Sequence, residues 1–86
     1  MDLFDSEGLR HDVARDGAEM SAQLAESVAG SFERLADTYR RMADRAYSPD
    51  KAVRLRGHVT RLEYRAGRER TEARRIRSQI ELRSGD

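Results

Sequence analysis

After Pro49, apolar or small residues fall at Ala52, Leu55, Val59, Leu62, Ala66, Ala73, Ile76 and Ile80. Their spacing alternates three and four, steps across Glu69 and resumes, which is the heptad period of a helix packed along one seam. Before the proline, Val28, Phe32, Leu35, Tyr39, Met42 and Ala46 repeat with the same alternation. Two such segments joined by a short connection predict an all-α fold of two long antiparallel helices, a coiled-coil-like hairpin. The pairing expected sets Met42 on Ala52, Tyr39 on Leu55, Leu35 on Val59, Phe32 on Leu62 and Val28 on Ala66. Further out it sets Ala25 on Glu69, Ser21 on Ala73 and Ala18 on Ile76, with an offset of a few residues allowed because the turn consumes some length.

The connection is marked by the run Ala46-Tyr47-Ser48-Pro49-Asp50. Ser48 can cap a helix through its hydroxyl, Pro49 suits the first helical position, and Asp50 favours the positive helix start. A single domain over 1–86 follows, with a helix over about 6–46, a turn at about 46–49, a helix over about 49–82 and a short C-terminal tail. Gly17 and Gly30 each cost a helix about 1 kcal/mol relative to Ala, and Asp16-Gly17-Ala18-Glu19 has the form of a capping box. The first segment is therefore either one helix or a helix broken near one of these glycines. Its apolar stripe never leaves one half of the helical wheel, which favours a single helix roughly 60 Å long.

A second apolar stripe, Leu9, Val13, Met20 and Leu24, runs to one side of this seam. Two helices bury little by themselves, so a displaced stripe is what a second interface looks like. Leu9, Val13, Met20 and Leu24 are the candidate protein interface, through which the hairpin is expected to dimerise into a four-helix bundle or to dock on a helical partner. The plainer reading is a supercoil drifting in register.

Composition narrows the function classes. The 86 residues are 37% hydrophobic and 38% charged, without cysteine. No disulfide framework or thiolate metal site is available. No apolar run approaches the ~18 residues of a spanning helix, and the acidic start MDLFDSEG is unlike a signal peptide. No membrane association is expected, and the expected location is the cytoplasm of a bacterial-type cell, with non-classical export left open. Residues 1–47 hold six Arg against ten Asp/Glu, and residues 48–86 hold eleven Lys/Arg against six Asp/Glu. Folding back lets the acidic half meet the basic half.

Enzyme templates fail on residue inventory: there is no GxxxxGK or GxGxxG loop and no serine in a nucleophile elbow. His11, with Glu7 and Asp12 nearby, lacks the Glu-x-x-His pairs of bundle-core metal sites, and His58 flanks the seam. Glu69, at a seam position, is read as a register-setting polar layer that must meet an arginine, water or the bundle edge. The expectation is a non-enzymatic chain with no catalytic residue, cofactor, metal or small-molecule substrate.

One regular feature remains. Arg54, Arg61, Arg68 and Arg75 recur every seven residues on the second helix, with Arg65 and His58 beside them and Tyr64 towards the back. A cationic ridge tracks phosphates and a tyrosine can stack on a base, so Arg54, Arg61, Tyr64, Arg65, Arg68 and Arg75 are the candidate face for an anionic partner. Against this, sixteen of the seventeen basic residues are Arg, as a GC-rich genome would encode. Glu63, Glu69 and Glu72 also interrupt the face, and the expected pairing brings Glu19 and Glu26 near Arg75 and Arg68. A protein-interaction or assembly module is the leading reading, and nucleic-acid binding is the alternative.

In outline, a two-helix hairpin of this length resembles the WXG100 secreted proteins. This chain departs from them: it has no Trp, its turn reads AYSPDKA, and Tyr64 is followed four residues later by Arg68 where the export signature has an acid. The run LADTYRRMADRAYSPDKA has a tetratricopeptide flavour, yet no second copy exists. Neither likeness carries a function to this chain.

Overall fold

A computed structural model describes the backbone of residues 3–84 and the side chains of residues 12–83. Two helices, α1 (Leu3–Asp44) and α2 (Pro49–Ser84), pack against each other as an antiparallel hairpin, a strip of 70 × 21 × 12 Å. α1 runs through Gly17 and Gly30 without a break, and neither glycine has a positive φ. No helix among the described residues is long and apolar enough to cross a membrane.

The turn forms as its residues dictate. The Arg45 N–H is shared between the carbonyls of Arg41 and Met42 at 3.2 Å each, and the Ala46 N–H reaches the Ala43 carbonyl. These shorter loops tighten the end of α1 and satisfy its last acceptors. Ser48 then caps α2: its Oγ accepts the Lys51 N–H at 3.4 Å, and its carbonyl accepts the Ala52 N–H at 3.0 Å. Pro49 occupies the first helical position, where a missing N–H costs nothing, and Asp50 sits in the positive first turn.

On α2 the seam lies where the period puts it. Leu55, Val59, Leu62, Ala66 and Ala73 are buried, and Ala52, Glu69, Ile76 and Ile80 are half-buried between them. On α1 the expected seam is corrected. Phe32, Tyr39 and Ala46 face α2 as expected, but Ala29, Ala36 and Ala43 are buried in place of Val28, Leu35 and Met42. Both sets are complete heptads sharing Phe32, Tyr39 and Ala46, so periodicity alone does not separate them. Steric fit does. α2 brings Leu55, Val59 and Leu62 to the interface, and small residues opposite let the helix axes approach.

The register is corrected as well. One buried cluster joins Ala22 and Ala25 to Ala73 and Ile76, and another joins Ala36, Phe32 and Tyr39 to Val59 and Leu62. Tyr39 thus meets Val59 rather than Leu55, and Ala25 meets Ala73 rather than Glu69, a slip of one helical turn. In the second cluster the small Ala36 lies between Phe32 and Tyr39 on α1 and packs with Val59 and Leu62 of α2. The resulting core is thin: among the described residues, seven of the ten buried hydrophobic ones are alanines. Each contributes about 0.8 kcal/mol per buried carbon, against about 1.5–3 kcal/mol for a whole Leu or Val side chain.

Candidate functional site

The two flanks of the hairpin differ in kind. On one, Arg56, Glu63, Arg70 and Arg77 recur every seven residues along α2 and meet Asp44, Arg40, Glu33 and Glu26 of α1. Arg70 binds Glu33 in a fork, Nε donating to Oε2 at 2.8 Å and Nη2 to Oε1 at 2.5 Å. Arg77 Nη1 donates to Glu26 Oε2, and Arg40 lies 3.1 Å from Glu63. The hydrogen bonds from Arg77 and Arg70 hold the Glu26 and Glu33 carboxyls below their ordinary value. Three acids of the acidic half, Glu26, Glu33 and Asp44, thus meet arginines of the basic half along this edge. The partners differ from those expected, because the register differs: Glu26 takes Arg77 rather than Arg68, Glu19 lies 3.8 Å from Arg15 of its own helix, and Arg75 binds Glu72.

The other flank holds the arginine candidates. Tyr39 stacks on His58 there, ring centroids 5.4 Å apart and planes at 27°, and Arg61 Nη2 donates to His58 Nδ1 at 2.9 Å. Met42 and Lys51 share a depression beside the turn, and Phe32 shares another with Arg65, Arg68 and Glu69. These contacts place the Val28–Leu35–Met42 edge of α1 beside the Lys51–His58–Arg65 edge of α2. No ion pair between the helices crosses this flank among the described residues.

Of the expected interface, Val13, Met20 and Leu24 are exposed at 63%, 68% and 65%; the side chain of Leu9 lies outside the described residues, as does that of His11. The stripe continues through half-buried Val28 to Leu35 and Met42, which keep close to half their surface in water. Leu35 and Met42 are interface candidates that the seam assignment concealed. Together with Gly17, Ser21, Ser31 and Thr38 they complete a second heptad on α1, alternating four and three from position 17 to 42. Two of its three hydroxyls bond back to their own helix: Ser31 Oγ donates to the Ser27 carbonyl at 3.2 Å and Thr38 Oγ1 to the Arg34 carbonyl at 3.1 Å.

The arginine candidates border this stripe. Arg54, Arg61, Arg65, Arg68 and Tyr64 are all exposed, and none of these arginines is in an ion pair among the described residues. Arg75 differs, forked on Glu72 at 3.0 and 2.7 Å, a bond that holds the Glu72 carboxyl below its ordinary value. Glu69 is half-buried at the edge of the depression under Phe32, where its carboxylate reaches water. The open flank is therefore an apolar rail on α1 beside a cationic rail on α2, with Phe32 and Tyr39 between them. No group of three or more metal-ligating side chains occurs among the described residues. No protein-family model matches the chain, and neither a curated protein nor a solved structure is significantly similar to it.

Proposed function

We propose that the chain is a non-enzymatic interaction module whose open flank receives a further helix, from a partner or from a second copy that completes a four-helix bundle. The observation that carries this reading is the set of exposed large side chains Val13, Met20, Leu24, Leu35 and Met42 on a helix that buries Ala22, Ala25, Ala29, Ala36 and Ala43 instead. A hairpin evolved to stand alone would gain most by turning those large side chains inward. The test is capture from the native cell with the wild-type chain and a Leu24→Glu/Leu35→Glu variant of unchanged helicity, with light scattering on each. Protein partners, or a dimeric mass, present for the wild type and lost in the variant are expected; a monomer that captures the same proteins in both forms overturns the reading.

A second reading rests on the exposed row Arg54, Arg61 and Arg68, repeating at a rise of about 10.5 Å, with Arg65 and Tyr64 nearby. Such a row suits the backbone of a nucleic acid. It is supported if an oligonucleotide binds at low salt and Arg61→Glu with Arg68→Glu removes the binding, and it falls if affinity is absent or survives that change.

A further inference from the structure

We propose that the occupant of the open flank is an amphipathic helix with acidic residues bordering its apolar stripe, which lies along α1 and α2 and completes a three-helix bundle. This rests on the helix-docking reading above and names the partner's chemistry. Four observations lead to it.

The first is period. The exposed rail of α1 repeats as a heptad over positions 17–42, and a heptad row is complementary to another helix of the same period. A membrane surface asks for a broad apolar face and has no use for a 3.5-residue repeat. The second is the state of two of the three hydroxyl side chains of that rail. Ser31 and Thr38 have already given their hydroxyl hydrogens to their own helix backbone, so an apolar side chain can cover them without orphaning a donor.

The third is charge. The α2 rail offers Lys51, Arg54, Arg61, Arg65 and Arg68, while its one acid facing the groove beside Arg65 and Arg68, other than half-buried Glu69, is Glu72, already occupied by Arg75. The acids of α1 at Glu26, Glu33 and Asp44 are engaged on the opposite flank. A helix seated on the apolar rail has one edge against these arginines over the half of the rail from about position 30 to 42, and carboxylates on that edge satisfy them.

The fourth is what a second copy would meet. Stacked open face to open face with α2 over α2, the arginine rows repel. With α1 over α2, the arginines of one copy are pressed onto the apolar rail of the other and lose water without gaining a partner. A heterologous acidic helix avoids both. From position 17 to 42 the rail is roughly 38 Å long, so about seven turns of partner helix fit it.

The test uses the full chain and three dye-labelled peptides of about 28 residues, sharing one leucine heptad stripe and differing only in flanking residues: Glu, Gln or Lys. Fluorescence anisotropy is expected to show the Glu-flanked peptide binding about tenfold or more tighter than the Gln-flanked one, and the Lys-flanked one weakest, with the differences shrinking as salt rises. Arg61→Glu with Arg68→Glu should bring the Glu-flanked peptide to or below the Gln-flanked level. Leu24→Gln with Leu35→Gln, at exposed positions and checked for unchanged helicity, should weaken all three. Equal binding of Glu- and Gln-flanked peptides overturns the acidic partner and leaves helix docking standing; no binding by any peptide counts against both. A dimer dispersed by the leucine variant identifies a second copy as the occupant. Tighter binding to phosphatidylserine vesicles or to an oligonucleotide than to the Glu-flanked peptide likewise overturns the proposal.

Discussion

Ala36 and Leu35 are neighbours in sequence with opposite environments: Ala36 is 2% exposed against Val59 and Leu62, and Leu35 is 44% exposed on the open flank. Hydrophobicity scales rank them the wrong way round. The core of α1 accepts alanine because backbone proximity leaves room for one carbon, so a larger side chain there meets the close approach directly. Ala36→Leu is expected to destabilise the hairpin by about 1–3 kcal/mol through overpacking. Leu35→Ala should cost less than about 1 kcal/mol in the isolated chain, since the side chain is only half removed from water. Chemical denaturation of both variants checks the pair, and the reverse order of stabilities would show Leu35, rather than Ala36, on the seam. Reading the seam of α1 from sequence fails at Val28, Leu35 and Met42 for this reason. The period allows two heptads, and the choice between them depends on the size of residues from α2 opposite. The cap at Ser48 and the α2 seam needed no such knowledge, because local hydrogen bonding and a single apolar row determine them.

Along the helices, the ion-paired flank works as a register key. The sequence of partners, Glu26 to Arg77, Glu33 to Arg70, Arg40 to Glu63 and Asp44 to Arg56, reverses sign at Arg40 and back at Asp44. Sliding one helix by a heptad would set Arg40 against Arg70 or Glu33 against Glu63, so the slipped hairpin meets like charges. This key also carries a pH dependence. Glu26 and Glu33, hydrogen-bonded by Arg77 and Arg70, hold their protons more weakly in the folded hairpin than in the unfolded chain, and Glu72 does so through Arg75. Below the ordinary carboxyl value of 4.5 the unfolded chain takes up protons first, so stability falls with further acidification. Thermal melts from pH 7 down to pH 3 should show full stability above that value and a declining midpoint beneath it. The decline should be shallower in Glu26→Gln/Glu33→Gln, which starts lower; a wild-type midpoint unchanged to pH 3 contradicts the account. The acidic-then-basic charge pattern announced that the halves meet, but the individual partners follow from a register that the sequence left one turn off.

For the molecule as a whole, the two flanks make a strip with one satisfied edge and one unsatisfied edge. Two surfaces share the unsatisfied edge: the Leu35–Met42 end of the apolar stripe on α1 and Arg54–Arg61–Arg65–Arg68 on α2, while Val13, Met20 and Leu24 lie further along α1, level with the Ala73–Ile76 end of α2. Their adjacency is invisible along the chain, because it arises only when the antiparallel pairing turns the two helices to share a side. Separately they suggested two different partners. Side by side they describe one amphipathic seat, and the row of arginines becomes its charged border.

The strip's dimensions of 70 × 21 × 12 Å also govern how it moves through solvent. A body this elongated has a high frictional ratio, so a monomer of 9.9 kDa is expected to elute ahead of globular standards of its mass and so imitate a dimer. Occupation of the open edge thickens the rod without lengthening it, so mass rises while the frictional ratio drops towards that of a compact body. End-to-end association raises both. Sedimentation velocity, which reports the two quantities together, therefore tells lateral docking from tip-to-tip assembly before any contact residue is mapped.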